Sequence, residues 1–163
     1  MGLFDRFKKK AVATVAVEAA PMVPGEWVVV CAPSGLEALV ASHAATAHER
    51  GVRAYLYLSA PWAPPCRVLE QGRADPALAA ALAPAYLIEL ADAGDLAPES
   101  LEATRFISAL GRHGVRVTYP SFFELDAAGQ VTGRSIDGSA WTADTVENMA
   151  VALAPFFHVG GTP

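Results

Sequence analysis

The chain has 163 residues, 53% hydrophobic and 18% charged, with a mean hydropathy of +0.30, enough to bury about two thirds of its unfolded surface as one soluble domain, which excludes disorder of the whole. Its net charge is −5, but four of its twelve basic residues (Arg6, Lys8, Lys9 and Lys10) stand beside Asp5 in the first ten positions, so the other eight face sixteen acids, a balance of −8 that would repel a phosphate backbone. Nucleic-acid binding is therefore not expected; two cysteines are too few for a disulfide scaffold, no paired Cys/His spacing suggests a metal site, no cofactor is expected, and no run approaches membrane-spanning length.

Residues 1–25 read as a basic leader and linker. Leu3, Phe4 and Phe7 share one helical face with Ala11, which suits weak docking of Met1–Lys10 on an anionic membrane; a solvated terminus is the simpler reading. Ala11–Val17 also has the length of a short signal-peptide core, but Glu18 interrupts it and Asp5 sits in what should be a basic head. Without a convincing export signal, a cytoplasmic site is expected, with export or membrane association as the alternative. Pro21–Gly25 (PMVPG) then links to the folded body.

The body, residues 26–158, alternates strand and helix, and residues 159–163 form a tail. Trp27–Cys31 is an apolar run of strand length, and Ser34 with Glu37 forms a capping box that predicts a helix buried along Leu36, Leu39, Val40, His43, Ala44 and Ala47 and stopped at Gly51. Arg53–Ser59 is a second strand, apolar enough on both faces to lie inside a sheet. Pro65 opens the next helix, which breaks near Gly72, and Asp75-Pro76 starts another. Tyr86–Leu90 is the third strand; the acidic stretch 91–98 leads to a helix over about 99–113. Ser121–Leu125 and Val131–Ile136, joined through Asp126–Gly129, form a hairpin, and Thr142 caps a last helix reaching Phe157. The order βαβαβαββα predicts an α/β fold: parallel crossovers closed by an antiparallel hairpin, in a central mixed sheet of about five strands flanked by helices.

Other constellations carry less. His43 and His48 are about 140° apart on a helix and present no two-histidine metal face. His113 and His158, near helix ends, suit the dipole there. Gly111 and Gly114 lack the Lys-Ser/Thr of a phosphate loop, and Asp92 and Asp95 read as a solvated loop.

One junction is more specific. The second strand runs into Trp62-Ala63-Pro64-Pro65-Cys66, and later Tyr119-Pro120 opens a strand of the hairpin that precedes the last helix. Over residues 26–158 this order resembles the thioredoxin superfamily, whose motif reads W-C-x-x-C. The resemblance implies a thioredoxin-like fold and thiol–disulfide chemistry on protein or peptide partners. Ala63 occupies the place of the attacking cysteine and Cys66 that of the resolving one. Pro120 is expected to be cis beside the motif, leaving the Tyr119 backbone to pair with an extended peptide, and Trp62, Pro64, Pro65 and Tyr119 to line an apolar groove around Cys66.

Thiol chemistry makes the missing cysteine decisive. A thiolate is the nucleophile, and a helix N-terminus acidifies a thiol placed on it. A lone thiol one turn deeper, with a pKa of about 8.5 or higher, is only about 3% ionised at pH 7, so the chain is expected not to catalyse dithiol turnover. In the family's strand order the first strand and the motif strand are about 10 Å apart, too far for Cys31 to bridge to Cys66. Cys31-Ala-Pro-Ser34 is itself a secondary thiol candidate of monothiol type, with a buried structural role as the simpler reading. Tyr57 stands where the family has a buried acid, which puts proton-transfer help to Cys66 in question. Ala63 reflects either natural loss of the nucleophile, with the fold kept as a binding module, or an engineered Cys-to-Ala replacement.

Overall fold

A computed structural model describes residues 25–30, 35–90 and 118–159. The elements in chain order are β1 (Trp27–Val30), α1 (Leu36–Glu49), β2 (Arg53–Leu58), α2 (Pro64–Gln71), α3 (Pro76–Leu82), β3 (Ala85–Leu90), β4 (Ser121–Leu125), β5 (Val131–Asp137) and α4 (Val146–Phe157), with 3₁₀ turns at Gly72–Ala74 and Gly138–Ala140. The leader, Cys31, the acidic stretch 91–98 and the helix expected over 99–113 lie outside the described residues.

The five strands form one mixed sheet in the order β1-β3-β2-β4-β5. β1, β3 and β2 are parallel, β4 runs antiparallel to β2, and β5 completes the hairpin at the edge. The central position of β2 follows from its composition: five of its six residues are buried, a run that only a strand covered on both faces can accommodate. One face carries Ala54, Leu56, Leu58, Ile88 and Phe123 against Leu36, Val40, Ala44 and Ala47 of α1. The opposite face carries Tyr55, Tyr57, Leu87 and Phe122 against Leu69 of α2, Leu78 of α3, and Met149, Leu153 and Phe157 of α4. Helices on both sides of this mixed sheet bury both of its faces. No helix among the described residues is long and apolar enough to cross a membrane.

Three helix starts differ from those expected from the sequence. The N-cap of α1 is Gly35, at a φ of +75° and without a side-chain bond, one residue after the expected Ser34, which lies outside the described residues. α2 begins at Pro64 rather than Pro65, with Ala63 as N-cap. α4 is capped by Thr145, not Thr142: the Thr145 hydroxyl accepts the Asn148 N–H at 3.3 Å, while Thr142 sits in the bend where the Trp141 indole donates to Asp144. Asp75 caps α3 as expected, its carboxylate accepting the N–H groups of Ala77 and Leu78.

His43 shares a 3.0 Å hydrogen bond with Tyr86 Oη. Burial lowers its pKa below the usual 6.5, opposed in part by Glu26. A histidine whose folded pKa is depressed stabilises the fold fully above its unfolded value and loses that contribution as pH falls through 6.5 toward the folded value. Denaturation midpoints are therefore expected to drop between pH 7.5 and 5.5, and His43→Gln to flatten that part of the profile; an unchanged slope in the variant would place the pH dependence elsewhere.

Candidate functional site

β2 ends at Leu58 and the chain turns through Ser59–Ala63 into α2. Two interactions fix the turn: the Ala63 N–H donates to the Ala60 carbonyl at 3.0 Å, and the Arg67 guanidinium reaches back to the carbonyls of Pro61 and Trp62 at 3.2 and 3.3 Å. Pro64 and Pro65 occupy the first helical positions, where a missing N–H costs nothing. Because neither has an N–H, the first helical residue able to offer one to an N-cap side chain is Cys66. Ala63 has no side-chain acceptor to receive it. Position 63 is thus a helix N-cap with an empty capping function, the place where a thiolate would be stabilised by a backbone donor and the helix dipole.

The structure brings most of the expected site residues together. Ala60, Ala63 and Cys66 form one buried cluster with Tyr119 packed against it. Trp62 is 58% exposed and meets Tyr119 edge-to-face, ring centroids 5.8 Å apart. The Tyr119–Pro120 peptide bond is cis, the isomer expected from the sequence. Pro120 is buried, and its carbonyl accepts the Gly138 N–H at 3.2 Å, tying this segment to the end of β5.

The expected apolar groove around Cys66 takes a different form. Cys66 is fully buried, and a cavity of about 290 Å³ opens beside it instead, lined by Pro65, Thr118, Tyr119, Asp137, Gly138, Ser139 and Asp144. Pro65 and Tyr119 belong to this cavity; Pro64 is exposed and Trp62 stands at the surface, neither of them lining it. The carboxylates make the cavity more polar than the sequence suggests. Asp137, at the end of β5, and Asp144 with the Trp141 that donates to it carry no signal in the sequence that links them to the site, because they are far from the motif along the chain.

Cys66 is the free cysteine among the described residues. Burial pushes its thiol pKa up, the Ala60 backbone and the Ser59 hydroxyl pull the other way, and the Glu70 carboxylate adds to the rise. Cys31 lies outside the described residues; the sheet places β3 between β1 and β2, the order expected from the sequence. His43 bonds to Tyr86 and His48 Nε2 lies 2.9 Å from the Leu125 carbonyl. His158 Nε2 lies 2.8 Å from the Ala80 carbonyl, so it joins α4 to α3 rather than serving only a helix end. No group of three or more His, Cys, Asp or Glu among the described residues is placed to hold a metal ion. His113, Gly111, Gly114, Asp92 and Asp95 fall outside the described residues. Comparison of the chain with protein-family models and with curated proteins gives no match.

Proposed function

We propose that the chain is a thioredoxin-like protein of thiol–disulfide oxidoreductase lineage whose chemistry acts on protein or peptide partners and requires a thiol at position 63. The observation that carries the reading is the placement of Ala63 as an uncapped N-cap, packed with Cys66 and Tyr119 in one cluster at the strand-to-helix turn. A sulfur there would meet a backbone donor and the positive end of α2, whereas Cys66 meets burial and a carboxylate. With Ala63 in place, the motif's remaining thiol, Cys66, lacks both activation and a sulfur at the attacking position, and the chain is inactive in dithiol exchange.

A second reading is favoured by the exposed Trp62 ring resting on Tyr119 beside the cavity. Such a surface is suited to an extended peptide, and a redox-inactive binding module would use it without any sulfur chemistry. Reduction of the insulin disulfides by dithiothreitol separates the two. The chain as it stands is expected to add nothing to the background rate, and Ala63→Cys to accelerate precipitation of the insulin B chain. Silence in both proteins would favour the binding module.

A further inference from the structure

Between α3 and α4 runs a groove of about 530 Å³ whose walls include Ala77, Ala80, Val151, Pro155 and His158, and which the thiol chemistry proposed above does not involve. Its walls are apolar: Val151 is 75% exposed, and neither helix carries a Lys or Arg. Pro155, inside α4, also withholds the N–H that the Val151 carbonyl would otherwise accept. Two contacts orient the groove. Gly72, in the turn before α3, stands against Val146 at the start of α4, so closely that a Cβ there would lie 2.6 Å from Val146 Cγ2. His158, after α4, lies 2.8 Å from the Ala80 carbonyl near the end of α3, so the two helices run side by side in the same direction. Acids stand at the starting end: Asp75 caps α3, and Glu147, exposed in the first turn of α4, is four positions before Val151 and on the same side of the helix. Gly25 stands at the other end. Its N–H donates to the Ala85 carbonyl at 2.8 Å, and a Cβ on it would lie 3.2 Å from Cα of Ala83, the residue that closes α3.

We propose that this groove is the docking site of the chain's own leader, with residues 11–20 along the α3/α4 walls and Arg6, Lys8, Lys9 and Lys10 at the Glu147 end. The place where the leader joins the fold supports this, because Gly25 is fixed beside the end of α3, at the mouth of the groove. Length permits it as well. The stretch from Lys10 to Gly25 measures about 22 Å even at the helical rise and more when extended, against about 16 Å from Glu147 to His158 along α4. Charge gives the direction. Ala11–Val17 carries none and suits the apolar walls, the basic cluster arrives where Glu147 and Asp75 stand, and Glu18 falls toward His158, away from those acids. Because the leader is tethered, its effective concentration at the groove is of millimolar order, so modest apolar contacts suffice to hold it. The docking requires no sulfur at position 63 and is independent of the oxidoreductase reading.

Trypsin tests this on the full chain, with cleavage after Lys8, Lys9 and Lys10 followed by mass and a synthetic peptide of residues 1–24 giving the unprotected rate. When docking and release are fast, cleavage follows the released fraction, and the full chain is expected to be cut at least about tenfold more slowly than the peptide. Ala80→Trp, at an exposed position, fills the groove and should bring the rate to within about twofold of the peptide's; an unchanged circular dichroism spectrum shows that the fold is intact. Glu147→Gln removes the charge at the far end and should speed cleavage about threefold, which decides the matter if Ala80→Trp does not fold. Cleavage of the full chain at the peptide's rate would overturn the proposal, as would protection that persists in a folded Ala80→Trp. Protection that grows with chain concentration would place the leader on a second copy instead. Protection that arises only on adding vesicles of phosphatidylserine and phosphatidylcholine would assign it to a membrane surface. Either result contradicts docking within one chain.

Discussion

At pH 7, iodoacetamide is expected to modify Ala63→Cys rapidly at the new thiol while leaving Cys66 unmodified, with rates differing by about 100-fold. The N-cap position accounts for a small part of this. A thiol acidified to about 7, as in a helix N-terminal redox cysteine of the thioredoxin type, is about half thiolate, against about 3% for one at 8.5. That gain of about 15-fold is offset about fivefold by the lower intrinsic nucleophilicity of a more acidic thiol. Burial does the rest: Cys66 is 0% exposed, and if reaching it requires local opening costing about 2 kcal/mol, reaction slows by about 30-fold more. Mass spectrometry of the alkylated peptides reads both sites at once. Equal rates would show that position 63 confers neither acidity nor access.

Phe122→Ala is expected to destabilise the fold by about 3–5 kcal/mol, a large part of the stability of a domain this size. Phe122 is fully buried, stacks on Tyr57 with ring centroids 4.8 Å apart and meets Phe157 edge-on at 5.5 Å. Truncation would open a cavity between β4, β2 and α4 where three aromatic rings now fill the space, and rigid strands cannot collapse into it. Because Tyr57 bears on Cys66 from the same layer, the loss would reach the floor of the site. Val151→Ala on α4 supplies the contrast: Val151 is 75% exposed, and the change should stay within about 0.5 kcal/mol. Urea titrations measure both; similar midpoint shifts in the two variants would contradict the packing described here.

How much of the fold and site is legible in the sequence depends on the range of the forces involved. β2 is legible because its apolar run is continuous, and the hairpin because Asp126 and Gly129 flank its turn; there the Asp126 carboxylate accepts the N–H groups of Ala128 and Gln130 and Gly129 takes a φ of +77°, as turn chemistry requires. The start of α4 is ambiguous in sequence because Thr142 and Thr145 are chemically identical caps, and the backbone bend that the Trp141–Asp144 bond accompanies selects the second. In the site, Trp62, Ala63, Cys66 and Tyr119-Pro120 stand out because a local pattern holds them. Glu70 is findable in part, standing four residues after Cys66 on the same helical side, but its bond to Ser59 spans the turn between β2 and α2 and has no signature in spacing. The polar lining of the cavity depends on β5 arriving beside Pro65, which strand pairing alone decides.

The proposed thiol chemistry depends on one property of position 63, that a sulfur placed at the start of α2 would be acidified by the N–H groups and dipole there. Thiolate absorbance near 240 nm, followed against pH in the native chain and in Ala63→Cys, measures this property without a substrate. One new transition near pH 7 is expected in the variant and is expected to be absent from the native chain. A variant whose added thiol titrates at about 8.5 or above would contradict the assignment of position 63 as the place of the attacking sulfur.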